Sequence, residues 1–128
     1  MLESLISRLG QDLKMDDVIQ MSVEGAYTLS FDDKIEIEIT QNSRHYLFKS
    51  IIGPCPQKNK EVFFTKIMEA NLFGRGTRNT VIGLTEDENL LTLSGELEYN
   101  SSYKQFKEKL EDFVTIVDFW RNEALNHL

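Results

Sequence analysis

The residues that could support catalysis or bind a metal are few and widely spaced in this chain. His45 and His127 are its two histidines, and neither has cysteine or acidic neighbours at the spacing of a zinc site, which needs three or four ligands. Cys55, the single cysteine, lies between two prolines and has no companion motif for a nucleophile. These residue types predict a protein without a metal, a cofactor or catalytic residues.

Two further features could suggest chemistry at first sight. Residues 74–77 (GRGT) lack the lysine of a phosphate-binding loop and follow a helical pattern rather than a strand, so we interpret them as the end of a helix. Glu36 and Glu38 share one face of a predicted strand, about 7 Å apart by the usual rise. No nearby residues would orient a sugar between such carboxylates, so we interpret them as charges that protect a sheet face from aggregation.

Composition favours one globular domain, which we expect to span residues 1–128. The chain has 128 residues, of which 41% are hydrophobic and 27% charged, and this balance is ordinary for a protein that buries a core. The net charge of −7 would repel phosphate backbones and anionic membranes. We therefore predict no direct nucleic-acid or membrane partner, whereas a basic protein partner is compatible with this charge.

The sequence also predicts a cytoplasmic location. The first residues lack the basic region and the uninterrupted apolar stretch of a signal peptide. The most apolar stretch, residues 113–120, is interrupted by Thr115 and Asp118 and is too short to cross a bilayer. A single cysteine favours a reducing compartment.

Hydrophobic periodicity predicts the elements that would position any site. Helical spacing predicts a first helix from Leu2 to Leu13, a second from Lys60 to Phe73 and a third from about Ser102 to about Leu125. Alternation predicts strands at Ala26–Phe31, Ile35–Thr40, His45–Ile52, Thr80–Leu84 and Leu90–Leu97. The polar stretch at Asp16 and Asp17 is expected to lead to a turn at Gly25. The predicted class is α+β, ordered helix, three strands, helix, two strands, helix, with helices packed on an antiparallel sheet.

The third predicted strand differs from the others because it is apolar on both faces. Tyr46 and Phe48 share one face, whereas Leu47 and Ile51 share the other with Lys49. Such a strand is either covered on both sides or receives a partner.

Several segments, taken in order, resemble the class I type III secretion system chaperones (the Tir-chaperone, CesT-like family). They are residues 29–33 (LSFDD), 52–54 (IGP), 68–73 (MEANLF), 81–84 (VIGL), 90–97 (LLTLSGEL), 106–114 (FKEKLEDFV) and 119–121 (FWR). The similarity extends over nearly the whole chain.

The resemblance implies a small acidic dimer that is not an enzyme and needs no cofactor. Members of that family bind the extended N-terminal segment of a secreted effector, keep it soluble and present it for export. An unfolded segment exposes apolar side chains and strand-forming backbone, for which grooves and sheet edges are suitable receptors.

The resemblance also nominates site residues. Effector binding would involve Leu5 and Leu9 of the first helix with Tyr46 and Phe48 of the third strand, although the same residues could instead fill the core. The dimer contact of the family would place Phe64, Met68, Val81 and Ile82 at the interface. Trp120 is expected in the core.

Two alternatives stay open at the sequence level. The family tends to have small residues where this chain has Arg78 and Asn79, next to the expected dimer contact, so the dimer is either a homodimer or a heterodimer with a related chaperone. A regulatory protein that binds a transcription or translation factor is the alternative function, with the transcription machinery as a possible partner.

Overall fold

A computed structural model describes residues 2–13, 19–23, 25–31, 34–73, 80–87 and 89–126 of the chain. The described elements are α1 (Leu2–Leu13), β1 (Ile19–Val23), β2 (Ala26–Phe31), β3 (Ile35–Gln41), β4 (His45–Pro54), α2 (Lys60–Phe73), β5 (Val81–Leu84), β6 (Leu90–Glu98) and α3 (Tyr103–Asn126). Every predicted helix and strand is found, with its ends within two residues of the prediction.

The strands form one antiparallel sheet in the order β1-β2-β3-β4-β6-β5. This confirms the predicted α+β class. The prediction of three strands before α2 was incomplete, because β1 precedes β2 and pairs with it. The alternation of Ile19, Met21 and Val23 with polar residues indicates a strand, but the aspartates nearby favoured the prediction of a turn.

One row of side chains shows how the sheet builds its core. Register places five buried residues side by side across five strands: Leu29, Ile37, Ser50, Leu93 and Ile82. Ser50 is the polar member, and its hydroxyl donates to the Glu36 carbonyl over 2.6 Å. That bond supplies the partner that a buried hydroxyl needs.

Helix α3 covers this row through aromatic packing on β4. The Phe48 ring centroid lies 5.6 Å from that of Phe106 and 5.9 Å from that of Phe113. Gly95 pairs with Phe48 in the sheet, and a Cβ at Gly95 would lie 3.0 Å from the Thr80 methyl and 3.4 Å from the Phe113 ring. The glycine therefore allows α3 to approach the sheet closely.

Helix α3 begins with a reciprocal cap. The Gln105 amide donates to the Ser102 hydroxyl over 3.2 Å, and the Gln105 side-chain oxygen accepts from the Ser102 amide over 2.8 Å. Ser102 is therefore the residue that caps α3. Trp120, near the other end of α3, is buried as expected.

Candidate interaction surface

Helix α2 has apolar side chains on two opposite sides. Its inward side is formed by Phe63, Ile67 and Ala70, which are buried. On the other side, Met68 is 68% exposed and Leu72 is 77% exposed. A surface helix normally presents polar residues to water, and a helix that is apolar all round is usually covered on all sides. The exposed side of α2 is therefore a candidate contact with another polypeptide.

Strand β5 continues this apolar surface. Val81 is 58% exposed, and two hydrogen bonds between Asn71 and the Ile82 backbone join α2 to β5. Leu72 and Val81 are the chain neighbours of those bonded residues, so their backbones lie near this junction, and the Val81 side chain points to the face of the sheet opposite that of Ile82. We define the α2–β5 patch as Phe64, Met68, Leu72 and Val81. A shallow depression of about 550 Å³ lies on its helical side, lined by Thr65, Met68, Glu69, Asn71 and Leu72.

The four residues predicted for the dimer contact divide between surface and core. Met68 and Val81 are exposed, and Phe64 is partly buried against the core. Ile82 is buried, because its side chain points to the face of the sheet that α3 covers. Its contact with a partner could only be made through the backbone. The dimer contact itself stays a prediction.

The residues predicted for effector binding lie mostly in the core. Leu9, Tyr46 and Phe48 are 0%, 2% and 1% exposed, whereas Leu5 is partly buried. Tyr46 and Phe48 are covered because both pack on Phe106 of α3. They therefore do not form an accessible docking face as the chain stands, and a direct effector contact through them stays a prediction.

A groove between α1, α3 and β2 includes one of these residues, Leu9, in its lining. It measures about 280 Å³, and its apolar lining is formed by Leu9, Phe31, Leu110 and Val114, with Lys107 and Glu111 also in the lining. Sequence analysis nominated only Leu9 of this set. The others were visible as members of apolar stripes, but a stripe does not show which of its residues will line a groove.

Polar contacts hold α1 against α3 at the wall of this groove. The Tyr103 hydroxyl donates to the Asp12 carboxylate over 2.9 Å, and the Lys107 ammonium lies 2.9 Å from the same oxygen. The Arg8 guanidinium carbon lies 4.2 Å from the centre of the Tyr103 ring. The hydrogen bond that Lys107 donates to Asp12 lowers the pKa of Asp12 and raises the pKa of Lys107. Helix α1 is therefore fixed in part by charged groups at the surface.

The candidates for chemistry remain scattered in the described part of the chain. Within those ranges, no group of three or more His, Cys, Asp or Glu side chains is arranged to bind a metal ion. Cys55 is buried, and its thiol lies 3.6 Å from the Pro56 carbonyl. No described helix combines the length and apolar character that crossing a membrane requires. His127, residues 74–77, Arg78 and Asn79 lie outside the described residues.

Comparison with known proteins gives a family match over most of the chain. The model of the Tir chaperone protein (CesT) family matches residues 2–121. The Chlamydia pneumoniae protein CPj0713/CpB0740 is 23% identical over 125 residues, which cover 96% of this chain and 95% of that protein.

Solved structures share the fold. A chain of the ExsC-ExsE complex matches with a TM-score of 0.77 and 14% identity, covering 96% of this chain and 92% of its own length. A chain of the HopA1-SchA chaperone-effector complex matches with a TM-score of 0.74 and 14% identity, covering 94% and 93%. At this level of identity the likeness establishes the fold alone.

Proposed function

This chain belongs to the Tir chaperone protein (CesT) family, and on that premise we propose that it is a non-enzymatic chaperone for a type III secreted effector. It binds the N-terminal segment of the effector and keeps it soluble and competent for secretion. The observation that carries this proposal is the family match over residues 2–121. The chaperone acts in the bacterial cytoplasm as a single domain over residues 1–128. The alternative, a regulator of transcription or translation, is not favoured by the family match.

The α2–β5 patch supports a dimer as the working form. Its exposed residues Met68, Leu72 and Val81 are uncharged, although the chain as a whole carries a net charge of −7. An interface centred on these residues would place no like charges of the two acidic subunits in direct contact. The second subunit is either another copy or a related chaperone.

The effector occupies the groove between α1, α3 and β2. Phe31 and Val114, which are partly buried, supply apolar contacts there above the buried side chains of Leu9 and Leu110. Leu5, also partly buried, lies on the same helix as Leu9. Tyr46 and Phe48 support the groove from behind, because they hold Phe106 of α3 in place. An amphipathic stretch of an otherwise unfolded segment suits such a site.

The dimer is tested by Met68→Glu, measured by light scattering during size-exclusion chromatography. A charge at the patch should give a monomer with half the molar mass of the wild-type dimer, because an unpaired carboxylate would be desolvated in the interface. The matched control is Leu125→Glu, which places the same charge at a residue of α3 that is 54% exposed and should leave the mass of a dimer. An unchanged mass for Met68→Glu would refute this interface.

The chaperone function is tested by purifying the tagged protein from its native cytoplasm and identifying the partner by mass spectrometry. We expect a secreted protein whose capture is lost when its N-terminal segment is deleted. A polymerase subunit or an RNA-binding regulator, captured independently of any secreted protein, would support the alternative and contradict the proposal.

A further inference from the structure

Strand β5 lies at one end of the sheet, where backbone groups are normally open to another strand. Among the described strands, the order β1-β2-β3-β4-β6-β5 leaves one side of β5 without a neighbour. Unpaired N–H and C=O groups at such an edge form a template for the addition of a further chain. Bonds formed by these groups therefore determine what kind of partner can bind there.

The backbone of Ile82 is occupied by one side chain. The Ile82 amide donates to the Asn71 side-chain oxygen over 2.9 Å, and the Asn71 side-chain nitrogen donates to the Ile82 carbonyl over 3.0 Å. A side-chain amide offers the same donor and acceptor as a peptide group. Asn71 therefore occupies the position that a residue of an added strand would take.

The alternating hydrogen-bond pattern of an antiparallel pair shows how many positions of the β5 edge Asn71 closes. Residues in an antiparallel pair alternate between those that exchange hydrogen bonds with the opposite strand and those that do not. Since both backbone groups of Ile82 bind Asn71, these groups point away from β6. The backbone groups of Val81 and Gly83 therefore point towards β6. Only Ile82 and Leu84 of the four residues in β5 face outward, so Asn71 closes one of two positions.

We infer that Asn71 is a specificity-determining residue that blocks strand addition at Ile82, one of the two outward positions of the β5 edge. The adjoining α2–β5 patch is then available to a partner that binds through apolar side chains, which a second copy of this chain provides. An extended segment is disfavoured at this edge because only Leu84 would be left to pair with it. The role of Asn71 goes beyond the proposed chaperone function and does not depend on an effector.

Asn71→Leu tests the inference, because leucine keeps the size of the side chain and removes both hydrogen bonds. At a protein concentration low enough to prevent pairing through the opened edge, hydrogen–deuterium exchange of the Ile82 amide should be faster by about tenfold, which is near the upper end expected for the loss of one net hydrogen bond. The Gly83 amide, which faces β6, should exchange at the wild-type rate. Sedimentation over a range of concentrations should show species larger than the wild type, since the opened edge can pair with another copy.

Asn122→Leu is the control, because Asn122 is an exposed asparagine of α3 and its replacement should leave both measurements at wild-type values. If Asn71→Leu does not fold, Asn71→Ala replaces it. Alanine also removes both hydrogen bonds and favours the helix, so faster exchange of the Ile82 amide and larger species are again expected. An Ile82 exchange rate or a mass distribution that matches the wild type would overturn the inference.

Discussion

Replacement of Phe48 by alanine distinguishes a core residue from a docking residue. Phe48 is 1% exposed and contacts the rings of Phe106 and Phe113. Truncation of a buried phenylalanine to alanine typically lowers the free energy of unfolding by about 3–5 kcal/mol. For a chain of this length we expect the midpoint of thermal unfolding to fall by roughly 10–20 °C. Phe48→Asp, which would bury a charge, should not fold.

Leu47→Ala is the matched control for this substitution. Leu47 is the preceding residue of the same strand, but it faces the opposite side of the sheet and is partly exposed. Removing its side chain should cost about 1 kcal/mol, because less apolar surface is lost from burial. Unfolding is followed by circular dichroism at one fixed protein concentration, since association changes the apparent stability of a dimer.

Effector binding is then measured for both variants well below their midpoints. A core role predicts that Phe48→Ala loses stability first and loses binding only as the folded population falls. A midpoint within about 5 °C of the wild type, roughly the shift expected for 1 kcal/mol, together with abolished binding, would refute this reasoning. That result would show that Phe48 contacts the effector directly.

Two further perturbations test the packing of α1 and α3. The pKa of Asp12 is lowered by its hydrogen bond with Lys107. The contribution of Asp12 to stability is therefore present above the usual carboxyl value of 3.8 and is lost as the pH falls through the lowered pKa. Melting temperatures of the wild type should fall in that pH range, and those of Asp12→Asn should depend less on pH. Gly95→Ala should lower the free energy of unfolding by about 1–3 kcal/mol, because its Cβ would lie 3.0 Å from the Thr80 methyl. The control is Gly83→Ala, for which urea unfolding should show a loss of at most about 0.5 kcal/mol. Equal losses for the two variants would contradict the packing of Gly95 described above.

The sequence predicted the class and most elements because their periodicities are long. The 24-residue α3 and the alternating isoleucines of β3 repeat their pattern often enough to be unambiguous. Strand β1 is only five residues long and was missed beside two aspartates. Short patterns of this kind compete poorly with nearby turn residues.

Burial within an apolar segment was harder to predict than the segment itself. Residues Phe63 to Leu72 were predicted as part of one helix with a broad apolar stripe, but the structure buries Phe63 and Ile67 and exposes Met68 and Leu72. In β4, only the position of α3 decides that Phe48 faces the core. These outcomes depend on tertiary packing, which a single strand or helix does not encode.

The proposed function requires this acidic fold to receive an unfolded segment of another protein. Native mass spectrometry of the purified chain with the N-terminal segment of its co-purified effector measures this directly. We predict a complex of two chaperone subunits and one effector segment, formed by a segment that has no stable fold on its own. Free chaperone chains alongside unbound segment would contradict the proposed function.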